Sequence, residues 1–204
     1  MTENFIAYVI FASVAAFTPG PNNVMVSASG ANFGYRRTIP HLLGIAFGFP
    51  VLLVSVGLGF GQLFTTYPAA HTALKVAGCA YLLFLAWKIG STPPQNLEEQ
   101  EHAAEEKQGK PLTFLQAAAF QWVNPKAWTV NVSAVAAFTT LDGYAMQLFY
   151  MVLAAIVIGF SSSSTWTLFG QAIGHVLSTP RQQRVFNISM GILLVASLYP
   201  ILKA

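Results

Sequence analysis

FTPGPNN, residues 17–23, sets two prolines on either side of a glycine, inside a stretch from Phe5 to Gly30 that carries no charged residue. Proline lacks an N–H and its ring crowds the carbonyl four residues back, so a helix running through Pro19 and Pro21 must break, leaving the carbonyls of Ala15 and Phe17 without their usual partners. A second break answers the first. QWVNPKAW, residues 121–128, places Pro125 in another apolar run, where it should release the carbonyl of Gln121. Free carbonyls are tolerated at membrane depth only where protein or a hydrated cavity satisfies them, so two breaks imply a polar pocket.

The membrane setting follows from composition. The 204 residues are 54% hydrophobic and 8% charged, against about 25% charged in an ordinary soluble domain. The net charge of +3 does not point to nucleic acid, because the Lys and Arg residues are scattered between apolar blocks and build no continuous basic patch. A single cysteine, Cys79, excludes an internal disulfide and a CxxC redox pair and reads as a buried structural thiol.

A spanning helix needs about 20 apolar residues. Six blocks qualify: about 5–30, 40–62, 70–90, 113–140, 143–170 and 184–202. No Lys or Arg precedes Arg36, so the first block lacks the basic flank of a secretory signal and is expected to be kept as a helix. STPPQNLEEQEHAAEEKQGKP, residues 91–111, carries five of the seven acidic residues and reads as a loop. The expected fold is an all-α membrane protein forming one integral-membrane domain over residues 1–204. Repeat one covers about 1–90, a cytoplasmic loop about 91–112 and repeat two about 113–204.

Alternate loops carry Arg36, Arg37, Lys88, Lys107, Lys110, Arg181 and Arg184, whereas the other side holds only Lys75 and Lys203. Basic loops stay in the cytoplasm, so both termini are expected outside. With three helices in each half, the second half must run through the membrane in the opposite sense. Laying Pro21-Asn22-Asn23 on Pro125-Lys126-Ala127 gives an offset of 104 and aligns the two breaks. Inverted three-helix repeats with helices 1 and 4 broken at corresponding points are the sequence mark of a secondary transporter whose site lies where the repeats meet.

The half-helix ends give that site its chemistry. N–H groups after Pro21, around Asn22 to Met25, attract an anionic group, and carbonyls before Pro19 attract a cation, so a zwitterion fits both. Lys126 is the one ionisable residue placed well inside an apolar block, where insertion scales charge about 2.5–3.5 kcal/mol for a lysine, so a functional role is expected. Asn22, Asn23, Asn124 and Asn131 are the further polar candidates. Asn23, Ser27 and Gly30 share a helical face. Gly44 and Gly48 form a G-x-x-x-G that suits helix packing, within the bundle or between subunits of a homo-oligomer. Ser161 to Ser164 either line a hydrophilic path or bond helix carbonyls. His41, His71 and His175 lie near helix ends and His102 in the long loop. They read as interfacial or solvated histidines, with no metal-ligand spacing among them.

PGPNN at 19–23, GYRRTIPHLLGIAFG at 34–48, GCAYLLFLAWKI at 78–89 and NPK at 124–126 together resemble the lysine exporter and homoserine-threonine efflux family of bacterial amino-acid exporters. The resemblance covers nearly the whole chain. It implies a six-helix inner-membrane exporter, not an enzyme, with Pro19, Gly20, Pro21, Asn22, Asn124, Pro125 and Lys126 at the signature positions. PGPNN with AYLLFLAWKI is most similar to the cysteine and O-acetylserine exporters. Many family members carry an acid directly after the second glycine of the G-x-x-x-G; here that position is Phe49, which argues against a cationic substrate. The expectation is proton-driven export of small neutral amino acids, with the bilayer and the amino acid as partners and no cofactor or metal. A metal or ion exporter is the alternative, and it would be expected to present carboxylates, thiolates or clustered histidines within the membrane. A membrane enzyme would need a nucleophile-base pair, a metal cluster or a CxxC, none of which the sequence displays.

Overall fold

The structure is a computed structural model that describes residues 2–60, 66, 68–93, 110–177 and 179–199. Most of the acidic loop, with His102 and Lys107, lies outside the described residues, as do Lys203 and the side chains of His71 and Lys75. Among the described residues seven α-helices follow one another: α1 (Thr2–Phe17), α2 (Pro21–Ser55), α3 (Pro68–Gly90), α4 (Phe114–Val123), α5 (Pro125–Phe138), α6 (Tyr144–Val176) and α7 (Pro180–Ala196). A π-helical turn, Val56–Phe60, extends α2. No strand occurs among the described residues.

Local chemistry explains where the helices begin. Thr113 and Thr179 each cap a helix in a reciprocal box, with Gln116 and Gln182 three residues on. Pro21, Pro125 and Pro180 all open their helices at the start, where the missing N–H would have had no helical partner anyway.

The sequence suggested a loop between the first two apolar blocks. Instead α2 runs from Pro21 to Ser55 and bends sharply at one residue, Gly34, whose φ of 75° and ψ of 168° favour a residue without Cβ. Arg36 and Arg37 therefore sit on helix just past the bend. The N–H of Tyr35, orphaned by the bend, donates to Gln171 Oε1 at 2.6 Å, and the Thr38 hydroxyl donates to the Gly34 carbonyl at 2.8 Å. One glycine thus turns the chain at the point where a straight 35-residue helix would reach about 50 Å, well beyond the roughly 30 Å of a bilayer core.

α2 is the central element, packed along α6 and α4, while α1 rests on α6 and α5 and α3 pairs with α7. Small residues allow the closest approaches. A Cβ at Gly30 would meet the Thr167 carbonyl and one at Gly170 the Ser27 carbonyl, so α2 and α6 touch backbone to backbone. The Gly44–Gly48 face is filled by Ala117 and Ala118 of α4, which gives that G-x-x-x-G an internal packing role. Two apolar clusters result. Met25, Val26, Leu42, Leu82 and Phe120 belong to one; Tyr8, Leu53, Ala134, Leu148 and Met151 belong to the other. The outer surface is apolar too, with Leu115, Val157, Ile10 and Leu58 among many large exposed side chains. α2 with its π turn, and α6, are long and apolar enough to cross a membrane.

Candidate functional site

The first break spans Thr18, Pro19 and Gly20. The Thr18 N–H still returns to the Val14 carbonyl at 3.0 Å, and Gly20 is extended, with φ −175°, before α2 starts at Pro21. Side-chain donors reach the carbonyls left at the end of α1. Asn23 Nδ2 donates to Ala16 at 2.8 Å and to Thr18 at 2.9 Å, and the Ser162 hydroxyl of α6 donates to Ala16 at 2.8 Å. The sequence pointed to Ala15 and Phe17. Because the chain leaves the helix only after Thr18, the carbonyls turned across the bundle are those one position further on.

The second break is a single residue, Asn124. Its Oδ1 accepts from the Lys126 N–H at 3.2 Å, capping α5, and the Trp128 indole N–H donates to the Trp122 carbonyl at 2.7 Å. Where proline was expected to expose the Gln121 carbonyl, it is the Gln121 side chain that matters. Gln121 and Asn22 exchange two amide hydrogen bonds, at 2.9 and 3.2 Å, which tie the two breaks together. Gln121 is fully buried and also donates to the Ala117 carbonyl at 2.9 Å. Sequence reasoning passed over it; an uncharged polar side chain three residues before a helix break was the available signal.

Lys126 crosses from the second break to the first. Its Nζ donates to the Thr18 carbonyl at 2.8 Å and lies 3.5 Å from that of Pro19, at the negative end of α1. Gly20 makes room: a Cβ there would lie 2.9 Å from Nζ. The structure thus directs Lys126 across the bundle to the other break.

A cavity of about 80 Å³ opens between α1, α2, α5 and α6. At about 10–15 Å³ per water-sized group it has room for roughly five to eight such groups, the scale of a small amino acid. Gly20, Asn22, Asn23, Asn124 and Lys126 line it, whereas Pro19, Pro21 and Pro125 act through the backbone and do not. Ser162 and Ser163 also line it; Ser161 is exposed and Ser164 pairs with the Tyr35 hydroxyl at 3.0 Å, so the serine run divides between path and packing. Asn131 on α5 lines it as well, 1% exposed, with no partner for its Oδ1. A buried acceptor left unpaired costs about 1–3 kcal/mol, which a bound donor would recover.

The lining holds one charged residue, Lys126, and none of its described members is acidic. Donors gather at Lys126 and at the first-turn N–H groups of Asn22 and Asn23, and acceptors at Ala16, Thr18 and Asn131. Such a pocket can hold an ammonium and a carboxylate side by side. Among the described residues no group of three or more His, Cys, Asp or Glu could hold a metal ion. His41, expected at an interface, is instead buried to 1% exposure on α2, outside this cavity. The bend at Gly34 turns it inward from what looked like a helix end.

The LysE type translocator family model matches residues 13–197. The chain is 31% identical over 191 residues to the cysteine/O-acetylserine efflux protein of Escherichia coli (strain K12), covering 93% of this chain and 92% of that protein. It is equally similar, at 31% over the same shares, to the cysteine/O-acetylserine efflux protein of Shigella flexneri. No solved structure matches. The chain belongs to the LysE type translocator family.

Proposed function

We propose that this translocator exports small neutral amino acids and close metabolites, of the cysteine, O-acetylserine, serine and threonine kind, across the bacterial inner membrane. The observation that carries the reading is Lys126 Nζ on the Thr18 carbonyl at 2.8 Å, inside a cavity of amino-acid size. That ammonium occupies the place a substrate ammonium would take. A substrate carboxylate draws Lys126 off Thr18. The carbonyl of Thr18, released by Lys126, and the unpaired Oδ1 of Asn131 are then left to receive the substrate ammonium. A lysine or arginine substrate would bring a second cation with no acid to meet it, and an uncompensated charge in a dry site is costly.

In the same reading the chain crosses the membrane six times as two inverted repeats. α1 with the first part of α2 forms the first span and α4 with α5 the fourth, and α1 begins and α7 ends on the outer side. The basic residues on alternate loops support that orientation. Proton-driven exchange is supported by Lys126, the one charged residue among the described residues of the lining, on which a proton could ride.

The test is efflux from proteoliposomes loaded with radiolabelled O-acetylserine, cysteine or lysine. Neutral substrates should leave at least about tenfold faster than lysine. Lysine leaving fastest would overturn the reading. A cysteine placed at position 104, in a Cys79→Ser background, should resist an impermeant thiol reagent in intact cells; ready labelling would overturn the orientation.

A further inference from the structure

Beyond the Lys126 cavity, toward the first turns of α1, lies a recess of about 20 Å³. At roughly 10–15 Å³ each, it holds one or two water-sized groups. Asn4, Phe5, Phe138 and Tyr150 help to line it. Among the described residues Tyr8 alone lines both the recess and the Lys126 cavity. The Tyr8 side chain is therefore the partition between them.

The way Tyr8 is held suits a partition that moves. It is 2% exposed, and its ring meets Phe138 edge to face with centroids 5.9 Å apart. Its hydroxyl donates to the Met151 carbonyl of α6 at 3.1 Å. That carbonyl lies inside a helix, where the N–H four residues on is its regular partner. Withdrawing the tyrosine thus strands no backbone group, and the freed hydroxyl can turn to water entering the cavity.

α1 is built to carry Tyr8 away. Ile6, Ile10 and Val14 are exposed along its outer face, and between Tyr8 and the first break the cavity is lined by the small residues Ala12, Ala15 and Ala16. The helix ends at Phe17, and Pro19 and the extended Gly20 then interrupt the hydrogen-bond ladder and give the chain a pivot. Tyr8 stands about 15 Å along the axis from Thr18, so a small tilt at the pivot is a large displacement of the ring. Asn23 and Ser162 hold the pivot end of α1 through the Ala16 carbonyl, and Lys126 holds it through that of Thr18. Of these three only Lys126 carries a charge that an arriving carboxylate would draw away.

We infer that Tyr8 is the exit gate of the transport path: α1 tilts about the Thr18–Gly20 break, and Tyr8 swings off Phe138 and Met151 to open the Lys126 cavity to the outer side. Loss of the Lys126 tether to a substrate carboxylate favours that tilt and couples loading to release. The outward direction rests on the orientation proposed above and the coupling on the exporter reading.

The test is thiol labelling of Ala12→Cys, on the cavity wall one turn from Tyr8, in the full chain carrying Cys79→Ser. A small impermeant reagent is applied to intact cells and, separately, to inside-out membrane vesicles. With Tyr8 in place the cysteine should react slowly from outside. Tyr8→Ala should speed that reaction at least tenfold and leave the rate from the cytoplasmic side unchanged. Tyr8→Phe, which keeps the ring and loses only the bond to Met151, should speed it about threefold. Unchanged outer-side rates overturn the gate, and Tyr8→Phe decides alone if Tyr8→Ala fails to insert. Equal acceleration from both sides makes Tyr8 a packing residue and also overturns the gate. Acceleration from the cytoplasmic side alone overturns the orientation and with it the exit role. Lys126→Ala, which cuts the tether, should speed outer-side labelling severalfold; no change there overturns the coupling. All these rates are read without substrate, so they fail separately from the efflux measurement that tests the exporter reading.

Discussion

The two helix breaks are made from the same device and put to opposite uses. At the first, three residues separate α1 from α2, and the cap is Gly20, which has no side chain to offer. Its carbonyls are met from elsewhere, by Asn23, Ser162 and Lys126, and its first-turn N–H groups border the cavity. At the second, a single asparagine separates α4 from α5, Asn124 caps its own helix, and Trp128 covers the Trp122 carbonyl. The first break is an open polar site; the second is closed on itself and delivers one group, the Lys126 ammonium. Proline alone does not make a binding site. The neighbouring cap residue decides, and glycine leaves open what asparagine seals.

Removing the delivered group should cost most. Hydrogen bonds to a charged group contribute about 1.5–3 kcal/mol, so Lys126→Ala should slow O-acetylserine efflux roughly 10- to 100-fold. Normal transport in a well-inserted variant would break the division of labour between the two breaks.

Gly20→Ala probes the open break more finely. The extended backbone at Gly20 accepts any residue, so the new Cβ strains nothing locally and acts only by crowding Lys126 Nζ and Cδ, 2.9 and 3.0 Å away. The crowded atoms are the far end of a flexible side chain, which swings aside at little cost to the fold and is thereby drawn off Thr18. Efflux should fall about tenfold, with thermal stability little changed; an equal loss of stability would place the effect in the fold instead.

The link between the breaks is tested by stability. Asn22→Ala strands the buried amide of Gln121, and Gln121→Ala the half-buried amide of Asn22, at about 1–3 kcal/mol. The double variant should be less destabilised than the sum of the singles, with a coupling of about 0.5–3 kcal/mol in denaturant unfolding. Strict additivity would show that the pair does not bridge the halves. Smallest of all, Trp128→Phe removes the indole N–H that caps Trp122, so it should cost about 0.5–1.5 kcal/mol of stability and leave the efflux rate near that of the parent.

Much of the site was legible because proline chemistry is local. Pro19, Pro21 and Pro125 mark the two breaks, although Pro40 and Pro50 lie within α2 without stopping it, and a lysine inside an apolar block announces itself by its cost. Lys126, Asn22, Asn23 and Asn124 all line one cavity of the candidate site. The turn between the first two apolar blocks was less legible. A loop and a one-residue bend at Gly34 share the same glycine, and only the Gln171 side chain, held on a helix far along the chain, shows how the bend is satisfied. Gln121 and His41 were undervalued for a related reason. A neutral polar residue carries little insertion penalty, so its sequence context says little about whether it is a filler or a linchpin.

The sequence by itself determined where the two breaks fall and which cation must be accounted for inside an apolar run. Those come from covalent structure and from the cost of unsatisfied groups, and both act within a turn or two of the chain. The tertiary structure decided the partners. That Lys126 answers Thr18, that Asn22 answers Gln121, and that Ser162 reaches Ala16 are pairings across 108, 99 and 146 residues. They depend on how closely glycines let α2 and α6 approach and on where one bend at Gly34 turns the chain. No short-range rule contains them, because a hydrogen bond is chosen by the few ångströms between two atoms and not by the residues that separate them along the chain.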